Sequence, residues 1–227
     1  GYIDQDEVLD LLDAGEDALV ISEIMINPTN GEPRNEWFEL YNASGVDIDI
    51  SNWTFRYVKA DGSGGKTFHI TPGLGLTAAP GEYLLMCAKS AVPEGLSASA
   101  CDYFYSQASY YGTSSPCGPT TVSTLRLHNT ADFELSFGIF EEDCSTADLG
   151  DLVEVDHISV DGSWTISSGQ SNELANELLT DGEGATDNDS GANFCNNSTD
   201  IFFTDSGDGD TNAGTPGSDN TCSETDL

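Results

Sequence analysis

Basic residues are the scarcest feature of this sequence. Only 6 Lys and Arg stand against 40 Asp and Glu, which gives a formal net charge of −34, and no Lys or Arg follows Arg126. Binding to nucleic-acid phosphates needs clusters of Lys and Arg, so this class of partner is excluded. The charge also disfavours anionic membrane surfaces, and no apolar run has the length of a membrane span, so we predict no membrane insertion.

Catalytic motifs are missing as well. The sequence contains no GxSxG, no HExxH, no Walker loop, and no GxGxxG between a strand and a helix. The three histidines are scattered: His69 and His128 fall in strand-like runs and are expected on solvent faces, whereas His157 follows Asp156. Neighbours on a strand point to opposite faces, so these two side chains cannot converge locally. We therefore predict no enzyme activity, and only a triad assembled from distant segments stays open.

The apolar pattern divides the chain into three parts. Residues 1–17 have a helical pattern that ends near Gly15, and this short helix must dock on its own domain or on a partner. Residues 18–160 follow a period of two with Gly and Pro between short runs, which predicts an all-β sandwich or barrel. The predicted strands are residues 19–26, 36–42, 52–58, 66–70, 82–87, 102–105, 124–128, 133–140 and 152–160.

The third part, residues 161–227, is rich in Asp, Asn, Gly, Ser and Thr and has a weak apolar pattern. We predict an acidic, loop-rich extension that packs on or beside the sandwich. Residues 171–179 fit either a helix or an extended segment, and the extended form is favoured.

The six cysteines contain no CxxC pair, so a zinc ribbon or a thioredoxin-type motif has no support. An even number of cysteines in a chain of this composition predicts disulfides and an oxidising compartment, and therefore an extracellular or cell-surface location. Many pairings are possible. The closure of local loops favours Cys87–Cys101, Cys117–Cys144 and Cys195–Cys222.

Several sequence blocks follow one another in a distinctive order. The first are Val20-Ile-Ser-Glu-Ile-Met25, Asn27-Pro28, Glu36-Trp-Phe-Glu-Leu-Tyr-Asn42 and Val46-Asp-Ile-Asp-Ile-Ser-Asn-Trp53. The later ones are Phe68-His-Ile-Thr-Pro72, Ala79-Pro-Gly-Glu-Tyr-Leu-Leu85, Leu125-Arg-Leu-His-Asn-Thr-Ala-Asp132, Val155-Asp-His-Ile-Ser-Val160, Asp187-Asn-Asp-Ser-Gly-Ala-Asn-Phe-Cys195 and Ala213-Gly-Thr-Pro-Gly-Ser-Asp-Asn220. Together they resemble the lamin-tail domain family, in its bacterial exported type, over about residues 19–222.

The resemblance implies an immunoglobulin-like β-sandwich without catalytic residues. Bacterial members are mostly exported proteins or modules attached to exported enzymes. Residues 106–122 and 141–151 depart from the compact family pattern as insertions, and each carries one cysteine.

One segment has the spacing of a calcium loop. In Asp205-Ser-Gly-Asp-Gly-Asp-Thr-Asn212, the candidate oxygen ligands are those of Asp205, Asp208, Asp210 and Asn212. Ala213 stands where an EF-hand loop needs glycine, and no glutamate closes the loop, so a solvated acidic loop is the alternative. Asp187 and Asp189 form a second, weaker candidate.

These observations predict a non-catalytic extracellular or cell-surface structural protein. We expect it to associate with itself in a filament or surface layer, with Ca²⁺ as the candidate cofactor because copies of such charge repel one another. The alternative is a monomeric adhesion module that recognises a carbohydrate or protein partner through the inserted loops. Its contact candidates are Tyr103, Tyr105, Tyr110 and Tyr111, for which ordinary packing is the other interpretation.

Overall fold

The fold is described by a computed structural model of residues 5–13, 17–29, 34–62, 66–70, 73–88, 91–105, 125–129, 132–140, 152–180 and 183–227. Helix α1 (Gln5–Asp13) precedes the strands, and the four-residue helix α2 (Gly184–Asp187) lies late in the chain. Within these ranges, no helix combines the length and apolar character that crossing a membrane requires.

Short strands make up most of the ordered structure. They are β1 (Leu19–Met25), β2 (Trp37–Asn42), β3 (Ile48–Asp49), β4 (Thr54–Lys59), β5 (Lys66–His69), β6 (Thr77–Ala78), β7 (Tyr83–Cys87), β8 (Tyr103–Phe104), β9 (Phe133–Phe140), β10 (Leu152–Val160), β11 (Asn172–Leu174), β12 (Phe194–Asn196), β13 (Ile201–Thr204) and β14 (Thr211–Ala213).

Two sheets carry the architecture. The larger has the order β12-β11-β1-β2-β7-β8, and the smaller has the order β10-β9-β4-β5. The pairs are antiparallel except for β7 with β8. The β13–β14 hairpin and the β3–β6 pair form two small sheets. The prediction of an all-β, immunoglobulin-like sandwich with a short N-terminal helix is confirmed.

Aromatic rings fill the space between the two sheets. Phe55 on β4 stacks on Phe68 and Phe137 with ring centroids 4.7 and 5.1 Å apart. Phe38 on β2 of the larger sheet lies 5.9 Å from Phe55 and so joins the two layers. All four rings are at most 2% exposed. The alternating apolar residues of the strands therefore form one continuous core.

Helix α1 docks on its own chain. Val8 is fully buried in the main core, and Leu9 and Leu12 pack against it. A nine-residue helix is marginal alone and gains most of its stability from such packing. No neighbouring copy is needed to hold this helix.

The segment after residue 160 is more closely integrated than an extension beside the sandwich. Strands β11 and β12 extend the larger sheet, because β11 pairs with β1 and β12 pairs with β11. The favoured extended form of residues 171–179 is present at Asn172–Leu174 and gives way to turns. A three-residue strand is too short to produce a periodic pattern, so the sequence did not separate it from a loop.

Two local predictions are wrong. Residues 125–129 form no strand, because the Leu127 N–H donates to the Glu36 carboxylate (2.8 Å) instead of to a sheet neighbour. His69 is buried between the Thr54 hydroxyl (2.9 Å) and the Asn52 carboxamide oxygen (3.0 Å). Burial lowers the pKa of His69 to about 4, so its imidazole is neutral at pH 7.

Candidate functional site

Three glutamates stand side by side across the middle of the larger sheet. Glu23 on β1 is directly opposite Glu39 on β2 and Glu173 on β11. Such neighbours have Cβ atoms about 5 Å apart. All three side chains are fully buried. They lie on the outer face of the sheet, since Phe38 and Leu40, the neighbours of Glu39, belong to the sandwich core. We call this set the glutamate row.

One chain segment, residues 213–222, lies over the row, and we call it the cover segment. The Thr215 N–H donates to Glu23 Oε1 (3.0 Å), and the Gly217 N–H donates to Glu39 Oε2 (2.5 Å). Glu173 Oε2 accepts from the N–H groups of Thr221 (3.0 Å) and Cys222 (3.2 Å). Each carboxyl group therefore binds the backbone of the segment that buries it.

The cover segment is anchored at several further points. Its Asn220 side chain donates to the backbone oxygens of Ser22 (3.0 Å) and Leu174 (2.8 Å) on the strands below. The Cys195–Cys222 disulfide, with a Cα–Cα distance of 6.0 Å, ties its end to β12. At Gly214 a Cβ atom would lie 2.6 Å from Glu23 Oε1. A side chain at this position would displace Glu23 or Ser171, so glycine allows the close approach of the segment.

The row brings together sequence blocks that are far apart in the chain. Glu23 and Glu39 belong to the first blocks that carry the family resemblance, and Thr215 and Gly217 belong to the Gly-Thr-Pro-Gly block. Sequence reasoning interpreted these blocks as core and turn and missed the site. The available signal was an acidic residue inside each of two otherwise apolar strands.

The electrostatics of the row favour protonated carboxyl groups. Burial raises the pKa of Glu23 well above its ordinary value, and the charges of Glu39 and Glu173 raise it further. Hydrogen bonds from Ser171 and Thr215 oppose this shift. Burial also raises the pKa of Glu39, to about 8, against hydrogen bonds from Gly217 and Ser22. Glu23 and Glu39, which are buried beside like groups, therefore retain their protons at neutral pH.

The rest of the same outer face is apolar and has its own cover. Met25, Trp37, Leu85 and Cys87 form a small cluster that packs against residues of the 96–104 segment and Phe202. The predicted Cys87–Cys101 disulfide is present with a Cα–Cα distance of 5.9 Å and ties this second cover to β7.

Two of the three predicted disulfides are therefore confirmed, Cys87–Cys101 and Cys195–Cys222. The pair Cys117–Cys144 lies outside the described residues.

A further buried carboxyl group joins the two sheets. A β-bulge on β1 frees the Ile21 N–H, which donates to Asp156 Oδ2 on β10 (2.7 Å). The same oxygen accepts from Asn188 Nδ2 (2.8 Å). Burial raises the pKa of Asp156 well above its ordinary range.

Next to Asp156, His157 points the other way, as the strand argument predicted. Its Nδ1 lies 3.0 Å from Glu154 and its Nε2 lies 3.3 Å from Asp189. The hydrogen bond that His157 donates to Glu154 and the charge of Asp189 raise the pKa of His157 to about 9, although burial opposes the shift. The two carboxylates bind opposite ring nitrogens. This arrangement is a surface charge cluster.

The structure separates the candidate calcium ligands. In the β13–β14 connection, Asp205 Oδ1 accepts from the Gly207 N–H (2.6 Å), and Asp208 Oδ1 accepts from the Asp210 N–H (3.1 Å). Asn212 is buried, and its Oδ1 accepts from the N–H and hydroxyl of Thr29 (2.9 and 3.1 Å), away from this loop. Of the four residues with calcium-loop spacing, only Asp205, Asp208 and Asp210 remain in the loop.

The second candidate pair is also divided between different partners. Asp189 pairs with His157, whereas the backbone oxygen of Asp187 accepts from Asn193 Nδ2 (2.8 Å). Among the described residues, no group of three or more His, Cys, Asp and Glu side chains is arranged to hold a metal ion.

The tyrosine candidates fall into two groups. Tyr103 and Tyr105 are at most 1% exposed and stack near Phe68 in the core, so they do not line a binding surface. They close the side of the sandwich at which β8 of one sheet approaches β5 of the other. Tyr110 and Tyr111 lie outside the described residues.

The geometry defines an immunoglobulin-like β-sandwich whose larger sheet is covered on both faces. Residues 13–118 match the family model described as Lamin Tail Domain, which confirms the resemblance on which the fold prediction rested. One similar solved structure is the crystal structure of a DUF4876 family protein from Bacteroides thetaiotaomicron VPI-5482, with 12% identity and a TM-score of 0.49. The match covers 70% of this chain and 63% of that one. Among curated proteins, none matches the chain.

Proposed function

We propose that this chain is a non-catalytic structural module of an exported protein. The observation that supports this function is the use of its buried carboxyl groups. Glu23, Glu39 and Glu173 all accept hydrogen bonds from the cover segment, and Asp156 accepts one from β1. Acidic groups that an enzyme would expose to a substrate serve here to hold distant parts of one chain together.

Export is supported by the two disulfides. Each ties a surface segment to a strand of the larger sheet, and such bonds persist in oxidising compartments. Disulfide formation is therefore expected to fix both the cover segment and the 96–104 segment on the larger sheet. Intact-mass measurement on protein secreted by a host should show the loss of two hydrogens per disulfide, and six free thiols would contradict export.

Burial of the tyrosines weighs against the adhesion alternative. Tyr103 and Tyr105, two of the four contact candidates, are at most 1% exposed and lie in the core. The two predicted insertions flank β9 in the chain, because the first precedes Phe133 and the second follows Phe140. We therefore favour a scaffold over a loop-built adhesion surface.

Self-association is the finer part of the proposal. Copies that each carry a formal charge of −34 repel one another, so assembly needs screening or a divalent cation. Asp208 and Asp210 are exposed at the β13–β14 connection and remain the candidate Ca²⁺ ligands on the surface. We propose that Ca²⁺ bound there reduces repulsion between copies.

Light scattering and negative-stain microscopy test this proposal, with Ca²⁺ and after chelation at fixed ionic strength. Particles that form with Ca²⁺ should dissociate after chelation and should not form in Asp208→Asn/Asp210→Asn. The matched control is Asp61→Asn/Asp161→Asn, which removes the same charge from exposed positions elsewhere. A monomer under every condition would overturn self-association, and glycan or protein binding by that monomer would favour the adhesion module.

A further inference from the structure

The Thr215 hydroxyl has more acceptors than it can serve. Its Oγ1 lies 3.0 Å from Glu23 Oε2, 3.1 Å from Glu173 Oε1 and 3.4 Å from Asn220 Oδ1. A hydroxyl has one hydrogen, and an ionised carboxylate only accepts. If Glu23 and Glu173 were both ionised, one carboxylate oxygen would face the hydroxyl oxygen without a proton between them. One of the two carboxyl groups must therefore donate.

The other contacts identify the donor. Glu173 also accepts from the N–H groups of Thr221 and Cys222 and from Asn197 Nδ2 (2.5 Å), which stabilise its ionised form. Glu23 has fewer such donors. The arrangement that satisfies both carboxyl groups at the two shorter distances has protonated Glu23 donating to Thr215 Oγ1, while the Thr215 hydroxyl donates to Glu173.

We propose that the glutamate row and the cover segment form a proton-dependent latch, which stays closed while Glu23 carries its proton and opens reversibly when that proton is lost. The open state lets water solvate the row. This device depends only on contacts within the chain and goes beyond the structural role proposed above.

Every titratable group around the row opposes a further negative charge. Glu39 lies on β2 and Glu173 on β11, and Asp102 before β8 acts on Glu39. In the cover segment Asp219 contacts Tyr83 (3.3 Å), which belongs with Tyr41 to the aromatic pair beside Glu39. Asp200 accepts from Asn197 and Thr221 at the edge of the row.

In the described part of the chain, four basic side chains form ion pairs away from the row. Those of Arg34, Arg56, Arg126 and His157 pair with acidic groups outside it. Burial and the charges of Glu39 and Glu173 dominate the surroundings of Glu23, so loss of its proton adds negative charge to a buried acidic site.

The cover segment can open without unfolding the sandwich. At its first residue, the Ala213 N–H donates to Gly169 O (2.8 Å) and Ala213 O accepts from the Ser171 N–H (3.1 Å). At its last residue, the Cys195–Cys222 disulfide holds it to β12. The part between these anchors is held to the sheet by hydrogen bonds of Thr215, Gly217, Asn220 and Thr221, so opening breaks these bonds and leaves the strands paired.

The pH dependence has a definite sign. Burial raises the pKa of Glu23 in the closed state, whereas in the open, hydrated state its pKa is ordinary. The stabilisation of the closed state is complete below the ordinary glutamate pKa and is lost as pH rises towards the raised value. For one proton, the opening equilibrium constant rises about tenfold per pH unit across that interval.

Hydrogen exchange at the Thr215, Gly217 and Thr221 amides measures the opening directly, after correction for intrinsic exchange and with the Leu40 amide as the core reference. In the wild-type chain, protection of the three cover amides should fall between pH 5.5 and 8.5 while Leu40 stays protected. In Glu23→Gln, the side-chain amide N–H group replaces the acid proton as the donor to Thr215. For each pH unit, the loss of protection of the cover amides should therefore be about tenfold smaller than in the wild type. The exposed control Glu183→Gln should follow the wild type. Equal slopes in wild type and Glu23→Gln would overturn the latch.

Infrared spectroscopy of the wild-type chain gives a second test that needs no variant to fold. At neutral pH it should show the carbonyl stretch of buried protonated carboxyl groups, and the part of this band that Glu23 contributes should disappear as the cover opens at higher pH. A spectrum with ionised carboxylates only would overturn the proposal. Thr215→Ser should retain the latch and Thr215→Val should lose its proton linkage; identical pH profiles for these two variants would also contradict it.

Discussion

The two faces of the larger sheet are equally buried but by different means. On the inner face, Phe38 packs against aromatic rings of the opposite sheet. On the outer face, Glu39, the next residue along β2, is buried by hydrogen bonds to a cover segment. Apolar packing is non-directional, whereas each carboxyl group needs a donor at a defined place. Strand β2 therefore has an inner face that can accept other apolar side chains and an outer face at which each carboxyl group needs a donor in one place.

The largest change in the free energy of unfolding is expected for a substitution on the inner face. Phe55→Ala removes a ring that contacts three others, and it should lower the free energy of unfolding by about 3–5 kcal/mol. Phe55→Leu should cost less because it leaves a smaller cavity. Denaturant titration at pH 6 measures both. Equal stability of the alanine variant and the wild type would show that the inner face does not dominate stability.

A smaller effect is expected from the anchor of the outer face. Cys195→Ser/Cys222→Ser opens a loop of 27 residues and should lower the free energy of unfolding by about 3 kcal/mol. Thermolysin should cut the cover segment before it cuts the sandwich strands. The matched control is Cys87→Ser/Cys101→Ser, which should expose the apolar cluster and leave the cover segment protected. Simultaneous cleavage of cover and strands in the first variant would mean that the two faces unfold together.

The glutamate row should make the outer face sensitive to pH. Because burial raises the pKa of Glu39 to about 8, its protonated form is fully stabilising near pH 4.5 and below, and the stabilisation is lost as pH rises through about 8. Glu39→Gln should therefore be less sensitive to alkali than the wild type. Thermal unfolding from pH 5 to 9 tests this, and a constant difference between the two proteins across that interval would be the contrary result.

The smallest effect is expected for charges that stay in contact with water. His157 is one-third exposed between Glu154 and Asp189, and such ion pairs contribute less than about 1 kcal/mol. Its raised pKa, about 9, means that this contribution is full below the ordinary histidine pKa and disappears above pH 9. His157→Gln should change stability slightly at pH 6 and not at pH 10. A loss comparable to that of Phe55→Ala would show that the cluster is structural.

The sequence allowed prediction of features that depend on near neighbours. Alternating apolar residues predicted most strands, the pattern around Val8 predicted α1, and local loop closure predicted Cys87–Cys101 and Cys195–Cys222. The glutamate row was not predictable in this way, since Thr215 and Glu23 are 192 residues apart. Local periodicity placed Glu23 on a strand and contained no information about what covers it.

The candidate site residues that the structure buries share one reason for their placement. Tyr103 and Tyr105 border an insertion, but β8 pairs with β7 and brings both rings into the core. Asn212 has the spacing of a calcium ligand, but strand β14 turns its carboxamide towards Thr29. In each case a partner distant in sequence decided the direction of the side chain.

The distance along the chain between the glutamate row and its cover has a consequence for biosynthesis. Strands β1 and β2 leave the ribosome almost two hundred residues before Thr215, so their glutamates stay hydrated throughout most of translation. The cover segment cannot bury the row until residue 222 has emerged, and the Cys195–Cys222 disulfide then fixes the segment on the sheet. Under the export proposed above, a chain that completes its fold so late would stay suitable for threading through a translocation channel and would mature on the far side.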